Sequence, residues 1–315
     1  MPKRSTGRPE AVAGGSVFVV GSLHLDVVVD APKLPAIDET VTGSGVDFVC
    51  GGKGGNQAVA AALHGARTHM AGRVGDDLFA EQLLAHLDAS GIERSQIQVG
   101  SGSSSGMSVA IVLGNGDYGA VIVSGANLEL NADAIDVPAD ATVAVLQNEI
   151  PEAVNIDVAR KANALGALVI LNAAPWRATS DELLGQVDLL VLNRVEAAAM
   201  TGTTPVSLLH AKESANSLVT PRRGIIITLG ADGAVWCDPQ GKTLVQPAFA
   251  VDVVSTHGAG DLFVGSLASR LTAGDATEAA LRYAAAAAAM HVSTPLANRL
   301  SIGGQQVEKF LANTE

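Results

Sequence analysis

The tightest constraint on this chain is a rhythm of short apolar runs. Val17–Val20, Thr142–Leu146, Ala167–Leu171, Asp188–Leu192 and Gly224–Thr228 stand between turn signals. Each is nearly continuously hydrophobic rather than alternating, as befits strands buried on both faces. Helical patterns accompany them at Gly55–His64, Asp77–Ala89, Pro151–Leu165 and Asp261–Leu271. Strands alternating with helices predict βαβ units, that is, an α/β fold with a mostly parallel sheet covered by helices. The 315 residues fit one large domain with a smaller appendage, and a 48% hydrophobic content fills its core. Aromatic residues are only 3%, so alanine, valine and leucine must do most of the packing.

Two regions break the rhythm. Val27–Cys50 holds strand-like stretches interrupted by Pro32 and Pro35. Gly106–Val123 reads as a hairpin about Asn115-Gly116, a strong two-residue turn signal. Both alternate polar and apolar residues. They predict one small antiparallel sheet outside the main one, built from residues 27–50 and 104–124. Residues 1–15 are basic, polar and glycine-ended, without the apolar core of a signal peptide, and are expected to form a flexible leader to a domain over 16–315. No apolar run is long enough for a membrane span. Two cysteines, Cys50 and Cys237, suit reduced thiols and a cytoplasmic protein. A net charge of −12 argues against nucleic acid as partner.

The apolar runs end in polar residues: Gly21 with Asp26 beyond it, Gln147-Asn148-Glu149, Asn172, Asn193 and Thr228. In a parallel α/β sheet, ligands bind beyond the carboxyl ends of the strands, so these are site candidates, although each can equally cap a helix. Gly241-Lys242-Thr243 spells the tail of a P-loop, but Trp236 stands where its first glycine belongs. Gly102–Gly106 has the spelling of a nucleophile elbow, but it precedes a strand rather than following one. Gly52-Lys53-Gly54 fails as a dinucleotide fingerprint at Gln57. The seven histidines lack metal-ligand spacing.

In Ser255–Phe263, small residues open a helix with Asp261 at its start. Free N–H groups, the helix dipole and the bare backbone of Gly258 and Gly260 make an anion site. Taken alone, Asp261 also fits an ordinary N-cap. The stretch "VCGGKGGNQA", residues 49–58, raises its own question: a single lysine stands among glycines. It reads either as a strand-to-helix turn with an exposed lysine or as a backbone stripped for a ligand.

Nine motifs in order decide among these readings. They are "GSLHLD" (21–26), "GGKGGNQAVAA" (51–61), "GDD" (75–77), "GAN" (125–127), "QNEIP" (147–151), "LNAAP" (171–175), "NRVEA" (193–197), "ITLGADG" (227–233) and "GAGDLF" (258–263). The chain thereby resembles the ribokinases of the PfkB carbohydrate-kinase family from about Val17 onward. The resemblance implies a Rossmann-like, ribokinase-like three-layer sandwich with a β-sheet lid that pairs two copies into a homodimer. It implies a kinase moving the γ-phosphate of ATP to the primary hydroxyl of ribose or a ribose-like sugar. A nucleoside, other furanose or ketose kinase is the alternative, and a non-catalytic sugar-binding regulator the third reading. Asp261 would be the catalytic base, and Gly258, Ala259 and Gly260 the anion hole. Ser22, His24, Asp26, Gly52, Lys53, Gly54, Asn56, Glu149 and Asp261 would surround the sugar, with Gly52 and Gly54 admitting its hydroxyls to the backbone. ATP would meet Asn193, Thr228, Leu229, Gly230, Ala231, Asp232, Gly233 and Gly260. Asn193 and Glu196 would hold Mg²⁺ through water, although the pair also reads as a helix start. His24 replaces the asparagine usual in bacterial ribokinases. Ser255 replaces an aspartate that helps bind an activating monovalent cation. The resemblance places any potassium ion near Ser255, His257 and Thr294, where the segment Ser293–Ser301 lacks the family's customary glycine.

Overall fold

The computed structural model describes residues 14–114 and 118–314. Its strands are β1 (Ser16–Val20), β2 (His24–Ala31), β3 (Gly45–Gly51), β4 (Arg67–Gly75), β5 (Glu93–Gly100), β6 (Gly106–Leu113) and β7 (Tyr118–Val123), followed by β8 (Ala141–Gln147), β9 (Leu168–Asn172), β10 (Leu189–Asn193), β11 (Gly224–Thr228), β12 (Ala234–Cys237) and β13 (Thr243–Gln246). Nine strands form one sheet in the order β13-β12-β11-β10-β9-β8-β1-β4-β5. It is parallel from β5 to β11, and β12 and β13 close one edge antiparallel.

The five apolar runs are strands because both of their faces are covered. In β1 the pleat sends Val17 and Val19 into one core and Phe18 and Val20 into another. The first core is closed by α1 (Lys53–Leu63) and α2 (Leu78–Ala89). The second holds Val154, Val158 and Ala162 of α3 (Glu152–Leu165), and the short α4 (Asp181–Leu184) contributes Leu183. It is completed by Ala197 of α5 (Arg194–Thr201) and by Ala211 and Ala215 of α6 (Leu208–Leu218). On the first face α7 (Ala259–Thr272) and α8 (Thr277–Val292) pack behind α1, and α9 (Gly304–Ala312) packs on α8. The result is the three-layer α/β sandwich.

Small residues set how closely these helices approach. A Cβ on Gly265 of α7 would fall 2.4 Å from the Gln57 carbonyl oxygen and 2.5 Å from Ala60 Cβ, both on α1. The absence of that carbon lets the two helices meet. Asp261 lies one turn before Gly265, on the same side of α7, and is thereby carried to the start of α1.

The second sheet has the order β3-β2-β6-β7. Its hairpins β2–β3 and β6–β7 are antiparallel, as anticipated, but β2 and β6 join in parallel, so the sheet is mixed. The reason is topological: β2 and β6 follow the carboxyl ends of β1 and β5, which point the same way in the main sheet. Asn115 and Gly116 lie outside the described residues, as does the leader up to residue 13. Gly241-Lys242-Thr243 forms the turn into β13, with Asp238 Oδ1 accepting from Lys242 N at 2.7 Å, and has no helix after it.

Candidate active site

The cleft forms where β1 and β8 end and the small sheet begins. Gly52 precedes α1 with φ 84°, and a Cβ there would lie 2.8 Å from His24 N and 2.9 Å from Ser22 O. A Cβ on Gly54 would lie 2.6 Å from Gly21 C and Ser22 N. Gly52 and Gly54 are therefore required first by the chain's own backbone. They let α1 start directly against the β1–β2 turn. That contact gives these glycines a task other than the close approach of sugar hydroxyls anticipated from the sequence.

That packing gathers polar groups. The carboxylate of Glu149, just past β8, meets the start of α1, where Oε2 accepts from Lys53 N at 2.9 Å and from Ser22 Oγ at 2.5 Å. A helix N-terminus is a favourable place for this negative charge. Asp261 is buried in the first turn of α7. Its Oδ2 accepts from Asn56 Nδ2 at 3.1 Å and its Oδ1 from Gln57 Nε2 at 2.9 Å. Burial holds its carboxyl above the usual carboxylate range, opposed by the Lys53 charge and the two amide donors. Burial works against the Lys53 ammonium, but Asp261, Glu149 and Glu196 outweigh it and hold Lys53 above its ordinary value. Lysine and carboxylates thus face one space.

Along β2 the pleat places His24 and Asp26 on one face of the small sheet. Asp26 Oδ1 accepts from Ser108 Oγ on β6 at 2.5 Å. His24 is buried, and its Nε2 has no hydrogen-bond partner among the described residues. The loop ahead of α7 has Gly258 at φ 74°, and no side chain caps the helix. A Cβ on Gly260 would meet nothing within 4 Å, so its space is open to a ligand. The arrangement is a cradle of helix N–H groups with a buried carboxylate behind it.

Asn193 and Glu196 form a capping box at the start of α5. Asn193 Oδ1 accepts from Val195 N and Glu196 N at 2.7 and 3.0 Å, and Glu196 accepts from Asn193 N and Nδ2 at 2.6 and 2.8 Å. The helix-start reading of this motif is therefore correct locally. Each Glu196 oxygen keeps a free acceptor position, so the pair can also take metal-bound water. Burial raises the Glu196 carboxyl, against Asn193 and the Lys53 charge. No group of three or more histidine, cysteine, aspartate or glutamate side chains poised to hold a metal occurs among the described residues. Next to Asn193, β11 delivers Thr228 and Leu229 into a single turn over Gly230–Asp232. A Cβ on Gly233 would lie 2.2 Å from Gln246 O, which makes glycine obligatory there.

The cation candidates are already engaged. The carbonyl oxygens of Ser255, His257 and Thr294 all accept from Arg299.

Three residues escaped the sequence reading of the site. Gln57 orients Asp261, and only its adjacency to Asn56 could have signalled it. Arg194 pairs with Asp232 at 2.8 Å beside the Gly230–Asp232 turn. Asn127 of the GAN motif is fully buried and grips Leu23 by both its N–H and its carbonyl.

Fold and cleft together define an α/β carbohydrate kinase, and comparison with known proteins agrees. Residues 15–301 match the model of the pfkB family carbohydrate kinases, and the chain belongs to that family. It is 34% identical to the ribokinase of Bacillus subtilis over 282 residues, 88% of this chain and 92% of that one. It is 32% identical over 283 residues to the deoxyribokinase of Salmonella typhi, with the same coverage. The structure of Arabidopsis thaliana ribokinase complexed with ribose and ATP superposes with a TM-score of 0.86 at 28% identity, covering 95% of this chain and 99% of that one.

Proposed function

We propose that this protein transfers the γ-phosphate of ATP to the primary hydroxyl of ribose, giving ribose 5-phosphate. One observation carries the reading: Asp261 is buried at the uncapped start of α7, held by two amides and facing Lys53. A carboxylate so placed accepts the proton of the attacking hydroxyl, and a general base contributes about 10²–10⁴-fold. The N–H groups of Gly258 and Gly260 stabilise the charge on the transferring phosphoryl group, and that of Ala259, which donates to Thr256 O at 3.2 Å, joins them once it gives up that bond. Loose phosphoryl transfer draws most of its acceleration from such positioning and charge. The sugar lies between Lys53, Asn56, Glu149 and Asp26, where donors and acceptors alternate as a polyol requires. His24 Nε2, buried without a partner, takes one further hydroxyl.

ATP lies over Asn193 and the Thr228–Gly233 loop, with Gly260 at its terminal phosphate. Asn193 and Glu196 would hold Mg²⁺ through water, and the ion would supply charge neutralisation of the phosphates. The small sheet acts as lid and dimer contact, with residues 27–50 and 104–124 as its extent. In support, register aligns Phe48, Val27, Val109 and Val121 across one of its faces, with Phe48 54% and Val121 69% exposed.

A second reading, deoxyribose as substrate, is favoured by the Salmonella relative's name. Turnover of ribose, 2-deoxyribose, fructose and adenosine, followed by coupled ADP release, tests both. Ribose is expected to show the highest kcat/KM. Equal or better turnover of deoxyribose supports the second reading, and adenosine as best substrate overturns both.

A further inference from the structure

Arg299 lies in the turn Leu296–Ser301 after α8 and is 6% exposed. Its guanidinium makes three hydrogen bonds, all to backbone carbonyls. Nη2 donates to Ser255 O at 2.8 Å, Nη1 to His257 O at 2.8 Å and Nε to Thr294 O at 3.1 Å. Two of these oxygens belong to the segment leading into the anion cradle, and the third to the turn just after α8. A ring of inward carbonyls around a buried positive charge is how a protein holds a dehydrated monovalent cation. Here the charge is covalent. A potassium ion on the same oxygens would stand within a few ångströms of the guanidinium and be repelled by it. Ser255 adds no carboxylate to offset that repulsion. The residues near Ser255, His257 and Thr294 therefore do not fit a monovalent cation.

We infer that Arg299 is this enzyme's built-in cation, a positioning residue for the anion cradle, and that turnover is independent of potassium. The geometry gives the route. The peptide joining His257 to Gly258 is planar and trans, so its carbonyl and its N–H point in opposite directions. Arg299 Nη1 fixes the carbonyl from one side, and His291 Nε2 lies 2.9 Å from the same oxygen. Fixing that oxygen aims the Gly258 N–H the other way and polarises it. Gly258 begins the cradle at φ 74°, a conformation with little stiffness of its own.

The inference rests on the kinase reading, so the test includes a measurement independent of turnover. The wild-type protein is assayed in tetramethylammonium chloride and in potassium chloride at matched ionic strength, for sugar turnover and for Tm. Turnover is expected to agree within about twofold, and Tm to be the same in both salts. Potassium stimulation above about tenfold, or a potassium-specific rise in Tm, overturns the inference, because an ion binding the native state stabilises it. Arg299→Ala is expected to lose at least about tenfold in kcat with little change in sugar KM, to recover in part with millimolar methylguanidinium, and to lose less as Arg299→Lys. An Arg299→Ala protein with wild-type kcat, or one whose lost kcat ignores methylguanidinium, overturns the positioning role. If Arg299→Ala does not fold, the wild-type salt comparison decides. If no sugar is phosphorylated, the kinase reading fails while the Tm comparison still judges the cation site.

Discussion

Asn127→Ala is the perturbation whose cost the structure specifies most fully. Oδ1 accepts from Leu23 N at 2.9 Å, and Nδ2 donates at 2.9 Å to both Leu23 O and Ser124 O. The two bonds to Leu23 are buried and the one to Ser124 is half-buried. Three hydrogen bonds at about 1 kcal/mol each give about 3 kcal/mol. The Leu23 N–H, left without acceptor or water, raises the total to about 4–5 kcal/mol. At about 2 °C per kcal/mol for a domain of this size, Tm should fall by about 8–10 °C. Urea unfolding should show the same loss as a lower midpoint at unchanged slope. Leu23 sits between Ser22 and His24, so sugar KM should rise in the variant even at temperatures where it is fully folded. Asn127→Asp keeps the Oδ1 acceptor but sets a carboxylate oxygen against two carbonyls, and should be no more stable than the alanine variant at neutral pH. A loss below about 1 kcal/mol with unchanged KM would refute the claim that Asn127 splints the sugar-facing turn.

Asp261→Asn should lower kcat by about 10²–10⁴-fold while sugar affinity, measured by calorimetry, changes little. Burial holds the native carboxyl above its unfolded value. The folded state therefore binds this proton more tightly, and stability declines as pH rises from the unfolded value through the raised folded one. Above that window the amide variant should melt no lower than the parent, whereas a clear drop in Tm would contradict the stated burial cost. Parent kcat/KM should fall on acidification as the base takes up its proton. Gly54→Ala and Gly260→Ala form a contrasting pair. The first drives a methyl to 2.6 Å from backbone atoms of Gly21 and Ser22 and should abolish soluble expression. The second finds open space and should leave Tm unchanged while removing at least about tenfold of turnover. Equal behaviour of the two would disprove the separation of packing and ligand glycines.

Much of this molecule could be read from its residues. The five runs are strands because they are apolar on both faces, and such runs have few alternatives. β4 was missed because Arg67, Thr68, His69 and Arg73 break its hydropathy, although His69 and Thr68 are buried. β13 is a short edge strand of mixed character and β12, beside it, has only four residues, too few for periodicity to separate either from a loop. At the site, Lys53, Asn56, Glu149 and Asp261 do share one cleft. Invisible in the sequence were the partners supplied by tertiary contact. Gln57 reaches Asp261 only because Gly265 lets two helices touch, and Arg299 finds Ser255 and His257 across more than forty residues. Gly106 had looked like part of a loop motif. It is glycine because a Cβ would fall 2.2 Å from Asn127 Nδ2 and 2.3 Å from the His24 ring.

The central claim is that Asp261 drives a primary hydroxyl of a sugar onto the terminal phosphate of ATP. Phosphorus NMR of the enzyme mixed with ATP and ribose observes that event directly. The account predicts a new phosphomonoester resonance split into a triplet by the two protons on the esterified carbon, growing as ADP appears and missing with the asparagine variant. A doublet from a secondary or anomeric ester, or inorganic phosphate alone, would contradict it.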